Sequence, residues 1–202
     1  MPKAAFFTRL GLFAEPALLD RQLSDRVREE MASARRKQAT VRDEGDAYGV
    51  DEDTRRTKSA QVGADTRALV EERLLAVKPR LEEHFGMELD GFQKLSFLVY
   101  GEGDYFRRHV DRGADADDAA FARERRISTV IFLNEEAPEP RDDAYGGGAL
   151  TFYGLLGNGK GEGVGLPVEP EPGLLIAFAS DVIHEVTPVT HGERYTIVTW
   201  FV

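Results

Sequence analysis

Apolar residues follow two rhythms along the chain, and the change comes near Gly91. In the first part Leu19, Leu23, Val27 and Met31 recur every four residues, which places them on one face of a helix over 16–36. Pro16 suits the first turn of such a helix, where its missing N–H has no partner to lose. A second helix is expected over 66–78 with Asp65 as its N-cap. Pro79 ends or kinks it, and a further turn runs to His84, Phe85 and Gly86. Between the helices, residues 37–58 (KQATVRDEGDAYGVDEDTRRTK) carry few apolar side chains and many charges. They read as a solvated, mobile loop, too long for a simple connector.

After Gly91, short runs of β-branched and aromatic residues alternate with turn residues. Strands are expected near 92–100, 105–111, 126–133, 148–153, 164–169, 174–179, 182–187 and 194–202. Eight short strands without intervening helices predict a mainly β fold, an antiparallel barrel or double-sheet jelly roll, with the N-terminal helices packed on one outer face. No internal repeat interrupts this pattern. The 202 residues suffice for one domain, in which 1–91 support a core formed by 92–202.

Composition narrows the chemistry. Hydrophobic content of 42% and charged content of 31% describe a soluble globular chain, with no apolar run long enough to cross a bilayer. The opening MPKAAFFTRLGLFAEP is broken by Arg9 and Glu15 and does not read as a signal peptide. The absence of cysteine excludes disulfides, thiolate zinc sites and iron–sulfur clusters, and fits a cytoplasmic location. A net charge of −10 opposes a general nucleic-acid partner.

Against this background the stretch YFRRHVDRG places His109 and Asp111 two residues apart. On a strand, such residues share a face and can share one ion. His184, in SDVIHEVTPV, supplies a second imidazole from another expected strand. Two imidazoles and one carboxylate leave three positions of an octahedron open, the arrangement of non-haem Fe(II) that binds a co-substrate and O₂. Zinc in a hydrolase uses the same ligand types. Neither His84, at a helix end, nor His191, in the turn THGE, has such a setting.

Arg194 shifts the balance between these readings, unless it is only an exposed arginine on the barrel rim. Alternation along RYTIVTWFV puts Arg194, Thr196, Val198 and Trp200 on one face. An arginine directed into an apolar barrel needs an anionic partner, and no acid in its strand provides one. A dicarboxylate ligand would, through a bidentate fork, with the Thr196 hydroxyl beside it. A structural or sensor jelly roll that only stores a metal has no need for either residue.

The chain resembles the Fe(II)/2-oxoglutarate-dependent oxygenases, on their prolyl-hydroxylase-like branch. The resemblance runs through FLVYGEGDYFRRHVD, RRISTVIFLNE, YGGGALTFY, EPGLLIAFASDVIHEVTPV and GERYTIVTWF, in order, over roughly 92–202. More loosely, DEDTRRTKSAQV resembles the Arg-Thr-rich segment beside the family's substrate loop. The resemblance implies a double-stranded β-helix core flanked by helices. It makes His109, Asp111 and His184 the iron ligands and Arg194 the partner of the distal carboxylate of 2-oxoglutarate. Tyr100 and Leu150 would line the co-substrate pocket. Phe132 stands where some members carry a tyrosine, and Thr196 would replace that hydroxyl. Fe(II), 2-oxoglutarate and O₂ are the implied cofactors, with ascorbate supporting activity. The implied reaction hydroxylates a prolyl or other aminoacyl residue in a protein or peptide. The same chemistry on a free amino acid or small metabolite is the alternative. Asp111 favours hydroxylation over halogenation, because related halogenases lack the carboxylate.

Weaker signals do not compete. GLLGNGKG, 154–161, lacks the Ser or Thr and the following helix of a phosphate loop and reads as a flexible loop. ADADDAA, 114–120, lacks the glycine and glutamate of a calcium loop. Nucleobase demethylases of this type usually carry a second arginine six residues after the first, where this chain has Trp200. At most one of Arg107 and Arg108 faces the metal side of their strand.

Overall fold

The computed structural model describes residues 2–39, 41–42, 48–49, 53–113, 119–156 and 163–202. Two antiparallel sheets dominate it. The larger has seven strands in the order Phe13–Glu15, Leu175–Ala179, Ile127–Phe132, Arg194–Phe201, Ser96–Tyr100, Lys58–Ala60 and Arg36–Gln38. The smaller has five, in the order Leu166–Pro167, Leu150–Phe152, His184–Val186, Tyr105–His109 and Arg55–Arg56. All eight expected strands form, and the architecture is the expected jelly roll. A further three-stranded sheet joins Glu135–Glu136, Ala144–Gly147 and Val189–Gly192.

Period-two alternation sorts the larger sheet's side chains between two cores. Phe97, Val99, Ile131 and Ile197 pack with Val27 and Met31 of one helix and Val70, Leu74, Val77 and Leu81 of another. Leu98 and Tyr100 point the other way, into a cluster with Val186 of the smaller sheet. Val130, Phe132, Ile176 and Phe178 join Leu150 and Phe152 between the sheets. Each fully buried aliphatic side chain on the helices contributes roughly 1.5–3 kcal/mol, so the helices brace the sheet from its outer face.

The helices differ from expectation at their ends. The first amphipathic helix runs Arg21–Ser33, and its start is set by Asp20, which accepts a hydrogen bond from the Leu23 amide at 2.8 Å. Pro16 precedes a turn in which Ala17 adopts φ 53°, so it does not open the helix. The second spans Ala64–Phe85, with Gly63 rather than Asp65 at its N-cap position. The Gly63 amide donates to the Glu30 carboxylate at 2.6 Å. Pro79 lies inside this helix, where burial of Val77 and Leu81 on either side outweighs the lost backbone bond. An unexpected helix covers Pro2–Arg9.

The segment 37–58 also departs from the loop reading. Its flanks extend the larger sheet through Arg36–Gln38 and Lys58–Ala60, and Arg55–Arg56 pairs with Tyr105–Phe106. Charged residues suit these strands because they lie at the sheet margins. Residues 40, 43–47 and 50–52 lie outside the described residues, as do 114–118 and 157–162, the sites of the rejected calcium and phosphate loops.

Asp20→Ala removes the side-chain cap of the Arg21–Ser33 helix and is expected to lower stability by about 1 kcal/mol. Urea denaturation followed by circular dichroism checks this, and an unchanged midpoint would show that the cap contributes nothing.

Candidate metal centre and anion cleft

Strand register brings the two candidate histidines together. His109, at the end of Tyr105–His109, pairs directly with His184, and their ring centroids lie 4.2 Å apart. Asp111 lies just past the strand end, so the expected strand to 111 stops short. The Asp111 and Arg112 amides both donate to the Ser180 carbonyl at 2.9 Å, which turns the chain out of the ladder. Asp111 then approaches both rings. His109 Nε2 lies 3.7 Å from Oδ1, and His184 Nε2 lies 3.5 Å from Oδ2. One ligand atom from each residue fits within a 4.8 Å separation, so the three can hold one metal ion.

The imidazoles are fixed in the tautomer a metal requires. His109 Nδ1 lies 2.7 Å from the Arg107 carbonyl, and His184 Nδ1 lies 2.9 Å from the Val182 carbonyl. A carbonyl only accepts, so each Nδ1 carries the proton and each Nε2 presents a lone pair. Phe106 stacks on His109 at 3.5 Å, and Phe178 meets His184 edge-on at 4.7 Å. Burial pushes the His184 pKa down to about 4 against the pull of Asp111, leaving the ring neutral at pH 7. Burial alone would raise the Asp111 pKa. The two histidines and the Ser128 hydroxyl outweigh it and hold the carboxyl far below the usual range. The site thus presents the Nε2 atoms of two imidazoles and one carboxylate.

The same cleft contains a cation without a counter-ion. Arg194 is 1% exposed. Its Nη1 donates to Thr196 Oγ1 at 3.3 Å, while Nε and Nη2 find no hydrogen-bond partner among the described residues. No carboxylate forms an ion pair with it among those residues. Its guanidinium carbon lies 5.2 Å from the ring centroids of both Tyr100 and Phe132. Register explains the neighbours, since Arg194 pairs with Tyr100 and Thr196 with Phe132. A buried, incompletely bonded charge costs several kcal/mol, and a bound anion would offset that cost.

The cleft is narrow, with about 40 Å³ of free volume. His109, Asp111, His184, Arg194 and Thr196 line it, and Tyr100 and Leu150 add apolar wall. Val198 and Trp200 also line it, so the expected inward face of the last strand is found in full. His84 and His191 are not part of the metal cluster. His84 packs on Phe13 and Phe85, where burial lowers its pKa. Arg108 is directed to Glu185 at 3.7 Å and stacks 3.6 Å over Tyr153, while Arg107 lies 5.9 Å over Tyr105.

Sequence reasoning missed two residues around Arg194. Tyr145 is buried against it: burial raises the phenol's pKa and the arginine opposes the rise. Gly148 has φ +58°, and a Cβ there would meet Val189 Cγ2 at 2.8 Å and Arg194 Cδ at 3.0 Å. Its lack of a side chain leaves the arginine its place. The signal was the run YGGGAL, which does not itself say which glycine faces which neighbour.

A family model described as "2OG-Fe(II) oxygenase superfamily" matches residues 95–202. A PKHD-type hydroxylase from Rhizorhabdus wittichii is 34% identical over 110 residues, covering 52% of this chain and 40% of that protein. A second, from Hyphomonas neptunium, is 31% identical over 148 residues, covering 72% and 59%. The chain therefore spans 40–59% of the length of these two relatives. Among solved structures, a Pseudomonas putida prolyl-4-hydroxylase superposes with a TM-score of 0.63 at 25% identity, covering 98% of this chain and 97% of that one. A Trichoplax adhaerens prolyl hydroxylase, in complex with a hypoxia inducible factor peptide fragment, shares the fold with a TM-score of 0.66 at 18% identity, covering 99% and 90%.

The lowered His184 pKa fixes the sign of a pH effect. The unfolded chain takes up a proton on this residue near the ordinary histidine value of 6.5, and the folded metal-free protein only near 4. Stability from this residue is full above the upper value and is lost as pH falls toward the lower, by on the order of 2–4 kcal/mol. Asp111, with its pKa depressed, adds a loss only at still lower pH. His184→Gln should flatten the dependence of metal-free stability between these two pH values. Parallel slopes in thermal melts of the two proteins would contradict the assignment.

Proposed function

The chain belongs to the 2OG-Fe(II) oxygenase superfamily, and on that basis we propose that it is a Fe(II)- and 2-oxoglutarate-dependent dioxygenase hydroxylating a prolyl or other aminoacyl residue in a protein or peptide. One observation carries the co-substrate assignment: a buried arginine, two of whose nitrogens find no hydrogen-bond partner among the described residues, shares its cleft with a His–Asp–His cluster. The prolyl or aminoacyl substrate is supported by similarity to the PKHD-type hydroxylases and to the P. putida prolyl-4-hydroxylase.

The donor set fits the metal. In this reading His109, Asp111 and His184 hold Fe(II), their free Nε2 lone pairs and ionised carboxylate needing no rearrangement. Arg194 receives the distal carboxylate of 2-oxoglutarate, and Thr196 adds a hydroxyl contact. Tyr100 and Leu150 hold the carbon chain of the co-substrate between apolar surfaces. Iron with O₂ supplies the oxidising chemistry that couples decarboxylation of 2-oxoglutarate to hydroxylation, and ascorbate serves as a supporting reductant. The protein orients the co-substrate between a fixed cation and a fixed ligand cluster. Leu98, Val130, Val186 and Val198 keep water from that space.

The assignment is tested by incubating the protein with Fe(II), 2-oxoglutarate, O₂ and ascorbate against peptide libraries and free amino acids, following succinate and any product heavier by one oxygen atom. Oxygenated prolyl or other aminoacyl peptides are expected. Oxygenated free amino acids alone would move the substrate to small molecules.

His109→Ala, Asp111→Ala and His184→Ala should each abolish turnover while the circular dichroism of the fold survives. Wild-type activity in any of them would remove that ligand. Arg194→Ala should weaken 2-oxoglutarate binding in calorimetry by on the order of 2–5 kcal/mol, with Arg194→Lys intermediate because it keeps the charge and loses the fork. Thr196→Val should cost about 1 kcal/mol. Gly148→Ala should raise the KM for 2-oxoglutarate through Arg194 and leave iron affinity near wild type. Equal loss of both would show a general distortion.

A further inference from the structure

We infer that a basic groove adjoining the cleft selects peptides that carry acidic side chains beside the residue to be oxidised. The inference rests on the peptide-hydroxylase reading for the identity of the occupant. The groove holds about 560 Å³ and runs along the larger sheet past its inward face. Arg55 and Leu98 line both it and the metal cleft, so the two spaces adjoin across these side chains. The junction lies close to the metal cluster, because the Arg55 guanidinium lies 4.7 Å over Phe106 and Phe106 stacks on His109.

Charge sets the groove apart from the rest of the molecule. The chain carries a net charge of −10. Lys37, Arg55, Arg67 and Lys94 nevertheless line this space together, and among the described residues no carboxylate does. Two donors on its wall are buried without a hydrogen-bond partner among the described residues, Arg55 Nε and Gln38 Nε2. Unsatisfied buried donors cost free energy that an acceptor ligand relieves. Carboxylates flanking a substrate residue would meet them together with the cations around them.

An extended peptide fits better than a nucleic-acid strand. Among the described residues no aromatic side chain lines the groove, so they offer no platform on which bases could stack. The wall includes Lys37 and Gln38 from Arg36–Gln38, the terminal strand of the sheet among the described residues, and a sheet margin is where an extended chain can add main-chain bonds.

The test uses fluorescence anisotropy with the full chain and three labelled peptides of one length. Each has a central proline flanked on one side by four residues, all glutamate, all glutamine or all lysine. The glutamate peptide is expected to bind at least tenfold tighter than the glutamine peptide at low salt and to lose most of that advantage at high salt. Lys37→Glu with Lys94→Glu, both exposed positions, should remove the preference, and Lys37→Arg with Lys94→Arg should keep it. Equal affinity for the glutamate and glutamine peptides, or an intact preference in the Glu double variant, would overturn the inference. So would an unstructured oligothymidine that binds tighter than the glutamate peptide and displaces it. The binding signal needs neither iron nor turnover, so failure of the groove and failure of the oxygenase reading give separate results.

Discussion

Arg194 is a permanently charged side chain in a place where charge is expensive, and much of the site's construction follows from keeping it there. Removing a guanidinium from water without a carboxylate partner costs several kcal/mol. The fold supplies only part of the compensation. Thr196 accepts one hydrogen bond, Tyr100 and Phe132 offer ring faces, and two nitrogens remain without hydrogen-bond partners among the described residues. A structure selected for stability alone would put a hydrophobic residue at this position. Retaining the arginine is intelligible when a dicarboxylate completes the set.

The β architecture makes this possible because it fixes both ends of the cleft independently. The anion end is built on the longest strand, Arg194–Phe201, which is paired on both sides within the larger sheet and braced by helices on its outer face. The metal end is built on the smaller sheet, where His109 and His184 are cross-strand partners and the turn at Ser180 delivers Asp111. Backbone carbonyls of Arg107 and Val182 set the histidine tautomers, so the ligand set is prepared before any ion arrives. Gly148 and Tyr145, from the three-stranded sheet and the loop after it, close the space around the arginine.

Much of this was legible in the sequence because period-two alternation is a local rule. It put Arg194, Thr196, Val198 and Trp200 on one face, and all four line the cleft. The spacing of His109 and Asp111 was equally readable, although the carboxylate reaches the site from a turn rather than from the strand. What could not be read depends on contacts between distant segments. Gly148 matters because of Arg194, forty-six residues later, and nothing in YGGGAL names that neighbour. Polarity misled at the two ends of 37–58, where charged residues at a sheet margin carry the same composition as a loop. Of the two outcomes expected at Pro79, an end or a kink, the helix does not end there, since buried residues on both sides carry it through to Phe85.

The central claim is that Arg194 is held at a cost to the free protein and repaid by a dicarboxylate ligand. Arg194→Met tests it most directly, because methionine fills much of the volume and removes the charge. Urea unfolding should be measured for both proteins with and without 2-oxoglutarate, in the presence of a redox-inert divalent ion in place of iron. The account predicts that the ligand-free variant is at least as stable as the ligand-free wild type, by roughly 0–4 kcal/mol. It also predicts that 2-oxoglutarate stabilises the wild type and leaves the variant unmoved. A variant that is less stable without ligand, yet gains as much from 2-oxoglutarate as the wild type does, would contradict the account.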